Sequence, residues 1–288
     1  MNRLRTLMPV TNASALLAFA LFLAAPSAAP AQESPIRLEP PSPLKLPAPQ
    51  RFELGNGLRV VLMENHKVPL VEVEMLVRGG SASDPGDRTG LATMTAEMME
   101  EGAGTRNSLE YADAVDFLGA SVSAFASVHS SGVSLFTPLS KLDSAMALFA
   151  DMVLRPAFPE QELERLRNER LTTLIQWHDQ PRAIASAVFN ETLYGENHAY
   201  GKTSIGDEAS IRGILISDVR SLHERLYAPA NATIIVVGDI GADQVRKLLG
   251  THFGSWSGGR SDTQELGPAP QVSSREIVLV DKPGAAQS

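Results

Sequence analysis

Six histidines, His66, His129, His178, His198, His223 and His252, stand in the 288-residue chain, and no two are three or four positions apart. Two histidines grip one metal from a helix at such a spacing, because i and i+4 share a face. No pair here can do so. The denser candidate for chemistry is residues 90–102, GLATMTAEMMEEG, an apolar helix start that closes on Glu97, Glu100 and Glu101. A hard cation held there would need further oxygen ligands from elsewhere in the fold. The acidic run is expected instead as a solvated helix end, and Glu169 as a helix-surface partner of Arg165 or Arg170 rather than a base.

The elements that must position these residues follow from periodicity. Phe52–Leu54, a Gly-Asn-Gly turn and 58–64 predict a strand pair, and 70–77 alternates Val71, Val73, Met75 and Val77 against Glu72 and Glu74, the mark of a half-buried strand. Further strands are predicted at 121–127, 132–137 and 232–237, and helices at 89–101, 108–118, 142–154, 159–178, 181–194, 217–226 and 242–253. Within these, Leu142, Ala145, Met146, Phe149 and Met152 mark one buried helix face, and Leu163, Leu166, Leu171, Leu174 and Ile175 another. Strand pairs, paired helices and a returning strand predict an α+β fold, an antiparallel or mixed sheet packed on helices.

Residues 1–31 carry Arg3 and Arg5, the apolar run Ala15–Ala25 and a closing Ala29-Pro30-Ala31. That order predicts a secretory signal peptide, with an apolar core shorter than the roughly 18 to 20 residues of a membrane span. Its removal takes two positive charges from a chain whose net charge is already −8, which argues against nucleic-acid binding. Cysteine is absent and 43% of residues are hydrophobic, so an exported chain of this size is held by its core and not by disulfides. A periplasmic or otherwise exported destination is expected, with no membrane span after cleavage. Residues 32–50 are proline-rich and aperiodic, a surface lead segment. One folded domain is expected over 51–258, and 259–288 reads as a linker followed by a strand at 276–280. A lone strand cannot form a domain, so either the chain is the first part of something longer or the strand joins the first sheet.

Several ordered words carry a resemblance: FELGNGLRVVLMENHKVPLVEVEMLVRGGSASDP from Phe52, GLA at Gly90, GTRN at Gly104, LGAS at Leu118, RPAFPEQELERLRNER at Arg155, HAYG at His198, YAPANATIIVVGD at Tyr227 and LVDKPGAAQS at the end. From residue 51 onward the chain resembles the insulinase/pitrilysin-type zinc peptidases, the inverted zincins that include the mitochondrial processing peptidase. The resemblance implies a helix bearing H-x-x-E-H, whose two histidines bind zinc and whose glutamate is base to the zinc-bound water, and a third ligand, a glutamate, on a later helix.

Aligned on Gly90-Leu91-Ala92, Thr93 stands at the first histidine, Ala96 at the base and Glu97 at the second histidine; after Glu169-Arg170, Gln176 stands at the glutamate ligand. Losing the whole inner shell should abolish both metal binding and hydrolysis. No catalytic residue and no cofactor are therefore expected in this chain, and zinc only in a partner subunit. His198 is expected to be structural. The resemblance further implies a clam-shell of related halves, with peptide-holding residues in a second domain. The expected function is that of a catalytically inactive exported subunit that binds or encloses peptides for a zinc-bearing peptidase partner in a heterodimer. The alternatives are a scaffold or assembly protein on the same fold and, less favoured, an active zinc endopeptidase.

Overall fold

The computed structural model describes residues 48–258, 266–268, 270, 271 and 274–281. The expected signal peptide and nearly all of the proline-rich segment lie outside these residues, as does most of the expected linker. Among the described residues, no helix is long and apolar enough to cross a membrane.

Chain order runs β1 (Gln50–Glu53), β2 (Arg59–Glu64), β3 (Leu70–Arg78), α1 (Leu91–Glu100), the short pair β4 (Gly102–Ala103) and β5 (Arg106–Asn107), and α2 (Ser108–Phe117). It continues through β6 (Ser121–Ala126), β7 (Ser130–Pro138), α3 (Leu142–Leu154), α4 (Glu160–Trp177), α5 (Pro181–Tyr194), α6 (Glu208–Gly213), α7 (Ile216–Leu226), β8 (Ala232–Gly238) and α8 (Ala242–Phe253). Six strands form one sheet in the order β1-β2-β8-β3-β7-β6. β8 inserts between β2 and β3, parallel to the first and antiparallel to the second. The sheet is thus mixed, and its centre is completed only after most of the chain has been laid down.

The alternation of β3 does what it predicts. Val71, Val73, Met75 and Val77 are buried while Glu72 is exposed, and β7 and β8 turn Val133, Leu135, Ile234 and Val236 to the same core. Helices α1, α3, α7 and α8 cover that face with Met94, Met98, Phe149, Met152, Leu222, Leu249 and Phe253. Helix ends follow local chemistry. Asn107 and Glu110 form a reciprocal capping box on α2, and α5 opens with Pro181, whose missing N–H costs nothing at that position.

Three expectations need correction. Leu163 and Leu166 are buried, but Ile175, assigned to the same face, is 68% exposed. The outer half of α4 has run past the core and lies against α5, the 203–207 loop and α6, and α5 itself has no fully buried residue. The helix α6 was not foreseen, because its cap, Asp207 accepting from the Ser210 N–H at 2.9 Å, starts a segment too short to show a period. Residues 276–280, expected as a strand, take no regular form, and Ile277 and Leu279 are exposed. The segment does not join the sheet, so it lacks the ladder partner that an extended apolar run needs.

Candidate functional site

Helix α1 begins where the backbone can be turned only by glycine. Gly90 has φ +89°, and a Cβ there would lie 2.4 Å from the Ile205 carbonyl oxygen. Its first turn is satisfied from a distance: the two carboxylate oxygens of Asp84 accept from the Gly90 N–H at 2.8 Å and the Ala92 N–H at 2.9 Å. Burial pushes the Asp84 carboxyl up to about 7, against the lowering effect of those backbone donors and of Arg170. No sequence signal marked Asp84, because its partners are six and eight residues away rather than at a cap spacing.

The three carboxylates at the end of α1 were expected as a solvated helix end; Glu100 is exposed and Glu97 half-exposed, but each of the three also has a tertiary partner. Glu97 meets Arg170 of α4, with Nε donating to Oε2 at 3.1 Å and Nη2 in ion-pair contact with Oε1 at 2.9 Å. The Arg170 side chain is only 6% exposed and also donates from Nη1 to the Gly90 carbonyl at 2.9 Å. Glu101 pairs with Arg165, which also holds Glu162 and, at 2.8 Å, Glu169. Glu169 is therefore the surface partner of Arg165, one of the two expected. Glu100 accepts from the backbone N–H of Ala124 at 2.8 Å.

These contacts fix the register of the two helices. Glu101 faces Arg165 and Glu97 faces Arg170, so α1 and α4 run antiparallel and Gln176 lies beyond Arg170 toward the Thr93 end of α1. At that end Thr93 donates from Oγ1 to the Ser204 carbonyl at 2.8 Å and to the Gly90 carbonyl at 3.1 Å. Ala96 is buried, and Gln176 is exposed on the outer half of α4. The loop around Ser204 and Ile205 is thus seated on the first turn of α1, an arrangement that nothing in the local sequence announces. Beside Gln176, the outer half of α4, the first turns of α5 and the segment 203–212 border a groove of about 370 Å³, apolar along Leu171, Leu174, Trp177, Ile184 and Val188 and polar at Asp207, Glu208 and Arg212.

The residues at these positions do not suit zinc. A methyl group and a threonine hydroxyl bonded to carbonyls offer no ligand, and the one carboxylate, Glu97, is committed to a guanidinium. Among the described residues, no group of three or more His, Cys, Asp or Glu side chains is placed to hold a metal ion. The histidines have separate duties. His198 accepts the Tyr200 N–H at Nδ1 and caps a single turn. His223 donates from Nε2 to the Val153 carbonyl at 3.0 Å, stacks on Tyr227, and is lowered by burial to about 4.

Comparison with known proteins places the chain. Residues 59–204 match the family described as Insulinase (Peptidase family M16), and residues 215–288 match the Peptidase M16 inactive domain. The boundary between the two falls inside one sheet, since β8, from the second match, pairs with β2 and β3, from the first. The zinc protease PqqE of Helicobacter pylori is 28% identical over 73% of this chain and 48% of its own length. A non-peptidase homolog, YmxG, of the same organism is 22% identical over 66% of this chain and 44% of its own. Among solved structures, a peptidase M16 inactive domain from Pseudomonas fluorescens superimposes with TM-score 0.72 at 25% identity, covering 77% of this chain and 54% of that one. The chain spans about half the length of the curated relatives it matches.

Proposed function

Because this chain belongs to the insulinase family of peptidases (family M16), we propose that it is a non-catalytic member, an exported subunit that holds peptides for a zinc-bearing peptidase partner. One observation carries this reading. Helices α1 and α4 are antiparallel and tied by the Glu97–Arg170 pair, and the alignment of words sets Thr93, Ala96, Glu97 and Gln176 at the positions expected for ligands and base, which supports the reading. Such a chain retains shape without chemistry.

Its means of holding a peptide is one of the two edges of the sheet, the β6 edge beside α1. β6 has a ladder partner on one side only, and an extended peptide can add to such an edge through main-chain hydrogen bonds that tolerate many side chains. The leader-like residues 1–31 favour export to a periplasm-like compartment.

The test is reconstitution. The purified chain should take up no stoichiometric zinc and cleave no peptide, and it should co-purify with a family member bearing H-x-x-E-H and raise that partner's peptide hydrolysis. Full activity of the partner alone, or chelator-sensitive cleavage by this chain alone, would overturn the proposal. A stable complex with a protein that is not a peptidase, without effect on proteolysis, would favour a scaffold role.

A further inference from the structure

The free edge beside α1 is guarded by one side chain. In an antiparallel pair, alternate residues turn their N–H and C=O groups away from the partner strand. Ala124 of β6 turns outward, and its N–H donates at 2.8 Å to Oε1 of Glu100, the last residue of α1. The position is unusual for a carboxylate, because a helix C-terminus carries the negative end of the dipole. Glu100 is exposed, but desolvation of its carboxyl against β6 and the neighbouring charges of Glu101 and Glu97 raise it above its ordinary value, while the Ala124 N–H bond works the other way. Those two neighbours have arginine partners. Among the described residues, no lysine, arginine or histidine forms an ion pair with Glu100. A helix C-terminus and two like-charged neighbours both act against a carboxylate here, and the Ala124 contact keeps it in place.

We propose that Glu100 is a latch on β6: it closes the Ala124 ladder position in the free chain, and an added peptide strand must displace it. The latch rests on the peptide-binding reading above and adds to it a residue that regulates access. The physical basis is competition for one donor. A peptide carbonyl and the Glu100 carboxylate cannot both accept from Ala124, and the charged acceptor makes the stronger bond. Strand addition therefore includes the release of Glu100 to water, and binding is weaker than the bare edge would give.

Two substitutions separate charge from occupancy. Glu100→Gln keeps an oxygen that can accept from Ala124 but loses the charge, and Glu100→Ala removes both. The probe is a fluorescein-labelled heptapeptide of alternating threonine and valine, its binding to the full chain followed by fluorescence anisotropy and its place on β6 by amide exchange. Glu100→Ala should bind about fivefold more tightly than the natural chain, the change expected from removing one competing hydrogen bond, with Glu100→Gln between them. In the free chain the Ala124 amide should exchange slowly, and Glu100→Ala should abolish that protection.

Equal affinity of all three proteins for a peptide mapped to β6 would overturn the latch and leave peptide binding standing. Absence of binding in all three would remove the peptide reading and the latch with it. Self-association of Glu100→Ala through β6 without any gain in peptide affinity would also overturn the latch, making Glu100 a guard against sheet-to-sheet pairing.

Discussion

The two helices that carry the degenerate positions are held with very different firmness. Of the ten residues of α1, seven are buried, its first turn is fixed by Asp84 and Gly90, and its last residue is tied to a strand. The buried residues of α4 are Leu163, Leu166, Arg167 and Arg170, all in its first eleven positions; the turns that follow carry Ile175 and Gln176 into solvent. A site assembled across the two would have three of its four groups on a rigid element and the fourth on a projecting one. Core packing alone accounts for the firmness of α1: Leu91, Met94, Met98 and Met99 are needed by the sheet whether or not a metal is bound.

If this contrast is right, the largest losses of stability come from the held region. Gly90→Ala forces an L-residue to φ +89° and drives its Cβ into the Ile205 carbonyl. It should cost about 3 kcal/mol, a fall in Tm on the order of 10 °C for a domain of this size. Leu163→Ala, at a site 2% exposed in the inner half of α4, should cost a similar amount, about 3 kcal/mol. Thermal and urea unfolding of the purified variants check both. A loss under about 1 kcal/mol at Gly90 would mean that the Ile205 loop gives way and that α1 is less fixed than its contacts indicate.

The next effect tests the link between the helices. Glu97→Ala leaves the Arg170 guanidinium almost wholly buried with carbonyl partners only. Removing one member of such a pair is costly, but Glu97 is itself 45% exposed, so the expected loss is moderate, about 2 kcal/mol. Gln176→Ala should change nothing measurable. Equal effects at the two positions in denaturant unfolding would erase the distinction between them.

Much of this was legible before the structure, and unequally so. The alternation of Val71 to Val77 fixed a strand and its buried face, and the run from Leu142 to Leu154 fixed a helix with its core side, because both periods were strong and both faces met one core. The position of β8 between β2 and β3 could not be read, since pairing between strands so far apart in sequence leaves no local trace. The alignment of words singled out Thr93, Ala96, Glu97 and Gln176 as the positions to examine. The groups folded against α1 were not legible: Arg170, the Ser204 carbonyl, Asp84 and Ala124 are tertiary partners. The acidic tail was read for its exposure but not for its partners, as composition says that a carboxylate is present and nothing about which cation or amide is folded against it.

Asp84 offers a smaller effect whose sign is fixed. Its carboxyl is raised from 3.8 to about 7 in the folded chain, so between those values the unfolded chain releases a proton that the folded chain keeps. The contribution of this group to stability therefore declines as pH rises from about 4 and levels off near 7. Asp84→Asn should flatten that slope in the pH dependence of urea midpoints. It should also cost about 1 kcal/mol above about pH 7, where the natural carboxylate accepts both backbone donors, because an amide accepts at one oxygen only and α1 then keeps one of its two distant caps. A slope that survives the substitution would move its cause away from the start of α1.

The smallest expected effect bears most directly on the outer half of α4. Ile175 is 68% exposed, and replacing an exposed isoleucine by serine removes little buried area, so Ile175→Ser should change stability by less than about 0.5 kcal/mol. The matched change at Leu163, on the same helix and three turns nearer the core, should exceed it several-fold. Both measurements use the same chain and the same unfolding transition, so errors in the reference state largely cancel. A loss at Ile175 comparable to that at Leu163 would mean that the apolar groove beside α5 is filled in solution and that the projecting half of α4 is as firmly held as α1. A neutral result would show that Ile175 contributes nothing to folding and that the projecting half of α4 is held less firmly than α1.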